Sequence, residues 1–174
     1  MSATDATGPT DAALKALTAD LGRTLVDAGL RLALAESCTG GWIAKAATDH
    51  PGSSAWFEAG FVTYSDAAKT AALGVSSDLI AEHGAVSEPV VQAMAVGARQ
   101  KTGADVAISV SGIAGPGGAS AQKPVGLVWF GWSFGDRNWT CQAEFEGDRE
   151  AVRRQAVAMA ITVLLDALRQ ERPC

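Results

Sequence analysis

The 174-residue chain is short of the side chains from which familiar hydrolytic and metal centres are built. It has two histidines, His50 and His83, both in turn-like or helix-end surroundings, so a histidine-based catalytic triad has little to draw on. Its three cysteines, Cys38, Cys141 and Cys174, are odd in number and lack the spacing of a disulfide framework or a zinc cluster. That usage points to a reducing, cytoplasmic setting and to no bound metal. No run of about 18 apolar residues is present to cross a membrane. Residues 1–9 have neither the basic region nor the apolar stretch of a signal peptide. Positive charge is scarce too: 14 Lys and Arg against 19 Asp and Glu leave a net charge of −5, which argues against nucleic acid as a partner. The chain also lacks a G-x-S-x-G elbow, a P-loop and a G-x-G-x-x-G fingerprint.

What is present is a globular balance, 48% apolar and 19% charged, in a length that suits one domain with a sizeable core. Residues 1–9 read as a frayed tail and 10–174 as a single domain. Leu14, Leu17, Leu21 and Leu25 share a helical face that Gly29 ends. A buried strand follows over 30–35, then a loop, and a helix resumes at Trp42. Turn residues fill 50–54, a strand is expected over 57–64, and a short helix from Ser65 or Asp66 carries Lys69. Ser87 and Pro89 mark a helix start, with Ser87 as the capping hydroxyl, and that helix runs to about Lys101 with Gly103 beyond it. Residues 104–111 are the most strand-like run. Strands over 125–134 and 138–145 are joined by Gly135, Asp136 and Arg137 as a hairpin. Asp148 opens a last helix with Val152, Ala156, Met159 and Val163 on one stripe. Helices alternating with strands predict an α/β sandwich with a mostly parallel sheet and one antiparallel hairpin.

Two glycine-rich segments follow strands and carry hydroxyls. One holds Glu36, Ser37, Cys38, Thr39, Gly40 and Gly41; the other begins at Ser111 and Gly112 and continues through Ala114 and Gly115. If their strands are parallel, both loops leave the same sheet edge, where open α/β sheets bind ligands. The helix start after the first loop would aim free N–H groups outward, so the pair reads as an anion or oxyanion site. Each element also has a plainer reading. Ser37 serves as well for a helix cap as for a nucleophile, and Cys38 competes with it. Tyr64, the sole tyrosine, suits a core position, and Lys69 a solvated helix surface.

Taken together, these residues resemble the C-terminal domain of the CinA family, the bacterial nicotinamide-nucleotide amidases. The resemblance rests on Ala35 through Gly41, on Gly60, Phe61, Val62, Thr63, Tyr64 and Ser65 with Lys69, and on His83 through Pro89. It continues in Ser111 through Pro116, in Lys123, Pro124, Val125 and Gly126, and in Gly147, Asp148 and Arg149. These motifs occur in order and span about residues 11–170. The resemblance implies a three-layer α/β/α sandwich with a mixed, mostly parallel five-stranded sheet. It implies hydrolysis of the carboxamide of nicotinamide mononucleotide to nicotinate mononucleotide and ammonia, without metal or cofactor, by a homodimer. Carried over by position, Ser37 is the nucleophile, Lys69 its base and Tyr64 an accompanying hydroxyl. Glu36, Thr39, Gly40, Gly41, Ser111, Gly112, Ala114, Gly115 and Arg149 are the expected substrate contacts, Arg149 suiting equally a surface position on the last helix. Longer family members carry an N-terminal domain resembling molybdopterin-binding proteins, so this chain is expected to be a stand-alone amidase.

That chemistry sets conditions. Lys69 must be neutral to accept a proton, which burial and a place in the first helical turn favour. Asp66 must therefore face solvent. Tyr64 is expected to hydrogen-bond within the serine–lysine pair, and N–H groups around Thr39 to Gly41 or at Ser111 and Gly112 to hold the oxyanion. Trp42 or Trp56 is available to stack on a pyridine ring, though tryptophan more often fills a core. The rival readings are a non-catalytic nucleotide-binding module of the same fold and a Cys38 thiol amidase.

Overall fold

The structure, a computed structural model, describes residues 8–170. The expected tail lies mostly outside the described residues, as does Cys174. Along the chain run α1 (Asp11–Ala28), β1 (Leu32–Glu36), α2 (Trp42–Thr48), β2 (Phe57–Val62), α3 (Asp66–Leu73), α4 (Ser77–His83), α5 (Glu88–Thr102), β3 (Val106–Gly112), β4 (Leu127–Phe134), β5 (Arg137–Glu144) and α6 (Arg149–Gln170). The sheet order is β2-β1-β3-β4-β5. β1 pairs in parallel with β2 and β3, and β4 runs antiparallel to β3 and β5. The mixed α/β/α sandwich is thus as expected, with β4 the one strand pointing the other way.

Alternation along β1 divides the core. Leu32 and Leu34 face α1, α2 and α6 with Leu21, Leu25, Ile43, Ile161 and Leu164. Ala33 and Ala35 face the layer of α3, α4 and α5 with Leu73, Ile80, Val90 and Met94. Each face is buried under helices, which is why β1 reads as an unbroken apolar run. No described helix is long and apolar enough to cross a membrane.

Three local readings are corrected. Helix α4 was not expected; its signals were the Ser76 hydroxyl, which accepts from Leu79 N–H, and the apolar pair Leu79 and Ile80. Ser87 occupies the N-cap of α5, yet its hydroxyl donates backwards to Gly84 O at 2.7 Å instead of capping. Pro89 at the second helical position has no N–H for it to cap. Strand β1 starts at Leu32 instead of residue 30, because Arg31 N–H donates to the Asp105 carboxylate at 2.8 Å outside the ladder.

Strand directions decide where chemistry can sit. β1, β2 and β3 are parallel, so the segments after Glu36, Val62 and Gly112 emerge on one edge. β5 points the same way, which delivers the start of α6 to that edge. α5 runs back towards the start of β3, so the turn before it, with Ala85 and Val86, lies there too.

Candidate active site

Lys69 is the centre of the arrangement. The Ser65 hydroxyl caps α3 by accepting from Ala68 N–H, which puts Lys69 at the end of the first turn. Helical side chains lean towards their own N-terminus, so the lysine stem folds back over the end of β2. Its amine lies 3.1 Å from Ser37 Oγ, 2.9 Å from Thr63 O and 3.4 Å from Tyr64 O. The side chain is 1% exposed, and no carboxylate pairs with the amine among the described residues. Burial holds it below its ordinary value of 10.5, against an opposing push from Asp66 and Cys38. Asp66 is exposed, as that opposition requires if it is to stay weak. The contacts suit a neutral amine. Two N–H groups donate to two carbonyls, and the remaining lone pair is left for the Ser37 hydroxyl.

Around this pair lies a cavity of about 200 Å³ lined by Ser37, Tyr64, Val86, Ser111, Ala114 and Arg149, among others. Ser111 donates to Ala85 O at 2.8 Å, tying the second loop to the turn before α5. Arg149 Nη1 donates to Gly115 O at 2.7 Å and Nη2 to the Tyr64 hydroxyl at 3.0 Å. Tyr64 is therefore corrected twice: its ring is 61% exposed, not in the core, and its phenol meets Arg149 instead of the serine–lysine pair. It is the Tyr64 carbonyl that touches Lys69.

The first loop is also re-read. Glu36 is 1% exposed and its carboxylate is fully occupied: Oε2 accepts from the Thr39 hydroxyl (2.7 Å), Gly41 N–H and Ile43 N–H (both 3.1 Å), and Oε1 from Ala44 N–H (2.8 Å). The start of α2 is thus neutralised from within by an anion, and is not an open anion site. Glu36 holds the turn and does not line the cavity beside Ser37. Thr39 is buried against it, while Thr39, Gly40 and Gly41 line a different cavity of about 580 Å³ on the other side of the turn. Gly40 and Gly41 adopt φ of +61° and +92°, conformations that let the chain turn sharply from β1 into α2. Trp42 lines that second cavity and Trp56 is core, so neither faces Ser37.

Because one carboxylate satisfies four donors, Glu36→Gln brings an amide NH₂ against backbone N–H groups. We expect a loss of about 3 kcal/mol, within the range for an unpaired buried donor in a charged network. Reversible urea unfolding checks it: a midpoint unchanged from wild type would mean that the four contacts are dispensable.

Cys38 sits beside Ser37 but is poorly suited to act as a nucleophile. Burial pushes its thiol up to about 12, so it stays protonated and weakly nucleophilic near neutrality. Arg153 was not singled out from the sequence. Its Nε and Nη2 donate to Cys38 O and Thr39 O, each at 3.0 Å, across more than a hundred residues of chain. Among the described residues no cluster of three or more His, Cys, Asp or Glu is placed to hold a metal.

Fold and site together define an α/β protein with a buried serine–lysine pair at the carboxyl edge of a mixed sheet. Comparison with known proteins gives the lineage. The CinA C-terminal domain profile matches residues 14–168, and the chain belongs to that family. It is 53% identical over 156 residues to the nicotinamide-nucleotide amidohydrolase PncC of Escherichia coli K12, covering 89% of this chain and 94% of that protein. It is 56% identical over 153 residues to the protein of the same name from Enterobacter agglomerans, covering 87% and 93%. Among solved structures, the CinA superfamily protein of Klebsiella pneumoniae 700603 superposes with a TM-score of 0.88 at 43% identity, covering 90% of this chain and 98% of that one.

Proposed function

We propose that this chain hydrolyses the carboxamide of nicotinamide mononucleotide to nicotinate mononucleotide and ammonia, with Ser37 as nucleophile and Lys69 as its base. The observation that carries the reading is the 3.1 Å approach of a buried amine, without a carboxylate partner among the described residues, to the Ser37 hydroxyl. The name of the relatives, nicotinamide-nucleotide amidohydrolase, supplies the substrate class.

In the first half-reaction Lys69 takes the hydroxyl proton as Ser37 Oγ bonds to the carboxamide carbon. The tetrahedral adduct carries its charge on the former carbonyl oxygen. Gly40 N–H already donates to Ser37 O, and Gly41, Ile43 and Ala44 donate to Glu36. Of the turn's remaining amides, that of Cys38 belongs to a residue that lines the Ser37 cavity, so its N–H is the one left for the oxyanion. The adduct collapses as Lys69 returns the proton to nitrogen, the C–N bond breaks and ammonia leaves. Water then attacks the ester with Lys69 again as base, and Ser37 Oγ recovers its proton. In this reading Arg149, which donates to Gly115 O and the Tyr64 phenol at the cavity wall, contacts the nucleotide phosphate.

Ammonia release from nicotinamide mononucleotide tests this directly. Wild type should turn over, and Cys38→Ala should retain kcat within about twofold, because a buried thiol serves here as a small apolar residue. Activity lost in Cys38→Ala with the fold intact would transfer the nucleophile to the thiol. A wild type that binds the nucleotide without releasing ammonia would instead make the chain a binding module.

A further inference from the structure

We infer that Arg153 is a positioning residue of the reaction, fixing the turn that carries Ser37 from the side away from the Ser37 cavity; this rests on Ser37 being the nucleophile. The turn offers three carbonyls in succession. Ser37 O accepts from Gly40 N–H at 3.0 Å, and Arg153 donates to the next two, Cys38 O and Thr39 O, with separate arms of one guanidinium, Thr39 O also accepting from Trp42 N–H at 3.2 Å. The peptide between Cys38 and Thr39 is trans and planar, so its C=O and N–H point in opposite directions. Pinning Cys38 O therefore also fixes Thr39 N–H, and pinning Thr39 O fixes the next peptide, so the chain that follows Ser37 is held at two successive planes.

Arg153 is placed for this and for little else. It lies one helical turn after Arg149 on α6, and the two arginines bracket the turn from opposite sides. Arg149 lines the Ser37 cavity, whereas Arg153 lines the larger one behind it and does not line the Ser37 cavity. The Trp42 ring lies beneath its guanidinium, 5.3 Å from ring centre to Cζ, which limits its rotation. Gly40 leaves room for the approach: a β-carbon there would stand 3.4 Å from Arg153 Nη2. A planar two-armed donor is required, so lysine is no substitute.

The test is steady-state ammonia release from nicotinamide mononucleotide by Arg153→Ala and Arg153→Lys, with Ser37→Ala beside them. Small misplacements of a catalytic group cost up to about a hundredfold, so kcat should fall roughly ten- to a hundredfold in both variants, with KM within about twofold of wild type. The second cavity opens to the vacated position, so guanidinium chloride at tens of millimolar should restore part of the Arg153→Ala rate, and potassium chloride should not. Unchanged kcat, a rise in KM alone, or a loss that guanidinium fails to restore would overturn the inference. If Arg153→Ala does not fold, the kcat and KM of Arg153→Lys decide alone. Ammonia release by Ser37→Ala above about one per cent of the wild-type rate would instead sink the nucleophile assignment, a failure separate from that of Arg153.

Discussion

Ser37→Ala is expected to lower kcat for ammonia release by at least about four orders of magnitude, as loss of an active-site nucleophile does when no neighbour replaces it. The neighbour in question is Cys38, whose buried thiol, pushed up to about 12, stays uncharged at assay pH. The fold should not suffer. Ser37 Oγ has Lys69 Nζ as its partner at 3.1 Å, while the backbone of the turn is held by Glu36, Gly40 N–H and Arg153. Binding of the nucleotide, followed by isothermal calorimetry, should persist because Arg149 and the cavity wall are untouched. Residual activity above about one per cent of wild type would remove Ser37 from the nucleophile role.

Lys69→Met is expected to lower kcat by roughly a hundred- to ten-thousandfold, the usual contribution of a positioned general base. The pH dependence distinguishes a base from a structural cation. Burial places the folded-state value of Lys69 below 10.5, so the wild-type rate should rise with pH through that lowered value and then level off. In Lys69→Met that rise should vanish. Stability carries the same signature with a definite sign. Between the lowered folded value and 10.5 the unfolded chain binds a proton that the folded chain does not, so wild type gains stability relative to Lys69→Met as pH rises through that window. Below the folded value the burial penalty is complete; above 10.5 it is gone. A rate that falls with pH over this range would mean that the charged amine is the working form.

Much of this site could be read in the chain alone, and the boundary of legibility is physical. The strand–loop–helix around Ser37 and the helix bearing Lys69 follow from local apolar periodicity, the capping Ser65 and glycine-rich turns. Convergence of the loops after β1 and β3 follows from the parallel sheet. What stayed hidden was the direction of side chains that settle their polar groups through the turn. Glu36 ends a buried strand, and nothing local tells whether its carboxylate faces a ligand or caps the following helix; the φ values of Gly40 and Gly41 decide that. Tyr64 is separated from Arg149 by 85 positions, so its turn outwards to that guanidinium has no local signal. Arg153 reaches Cys38 O over 115 positions. Its role depends on the phase of α6 against the Ser37 turn, which the helix's own periodicity leaves undetermined.

Acid quenching of wild-type enzyme within the first turnovers of nicotinamide mononucleotide, followed by mass analysis of its peptides, tests the central claim most directly. The serine–lysine account predicts a nicotinate-nucleotide ester on Ser37 that forms before ammonia accumulates fully and is missing in Lys69→Met. An acyl group on Cys38, or ammonia accumulating with no acylated peptide at any time point, would contradict it.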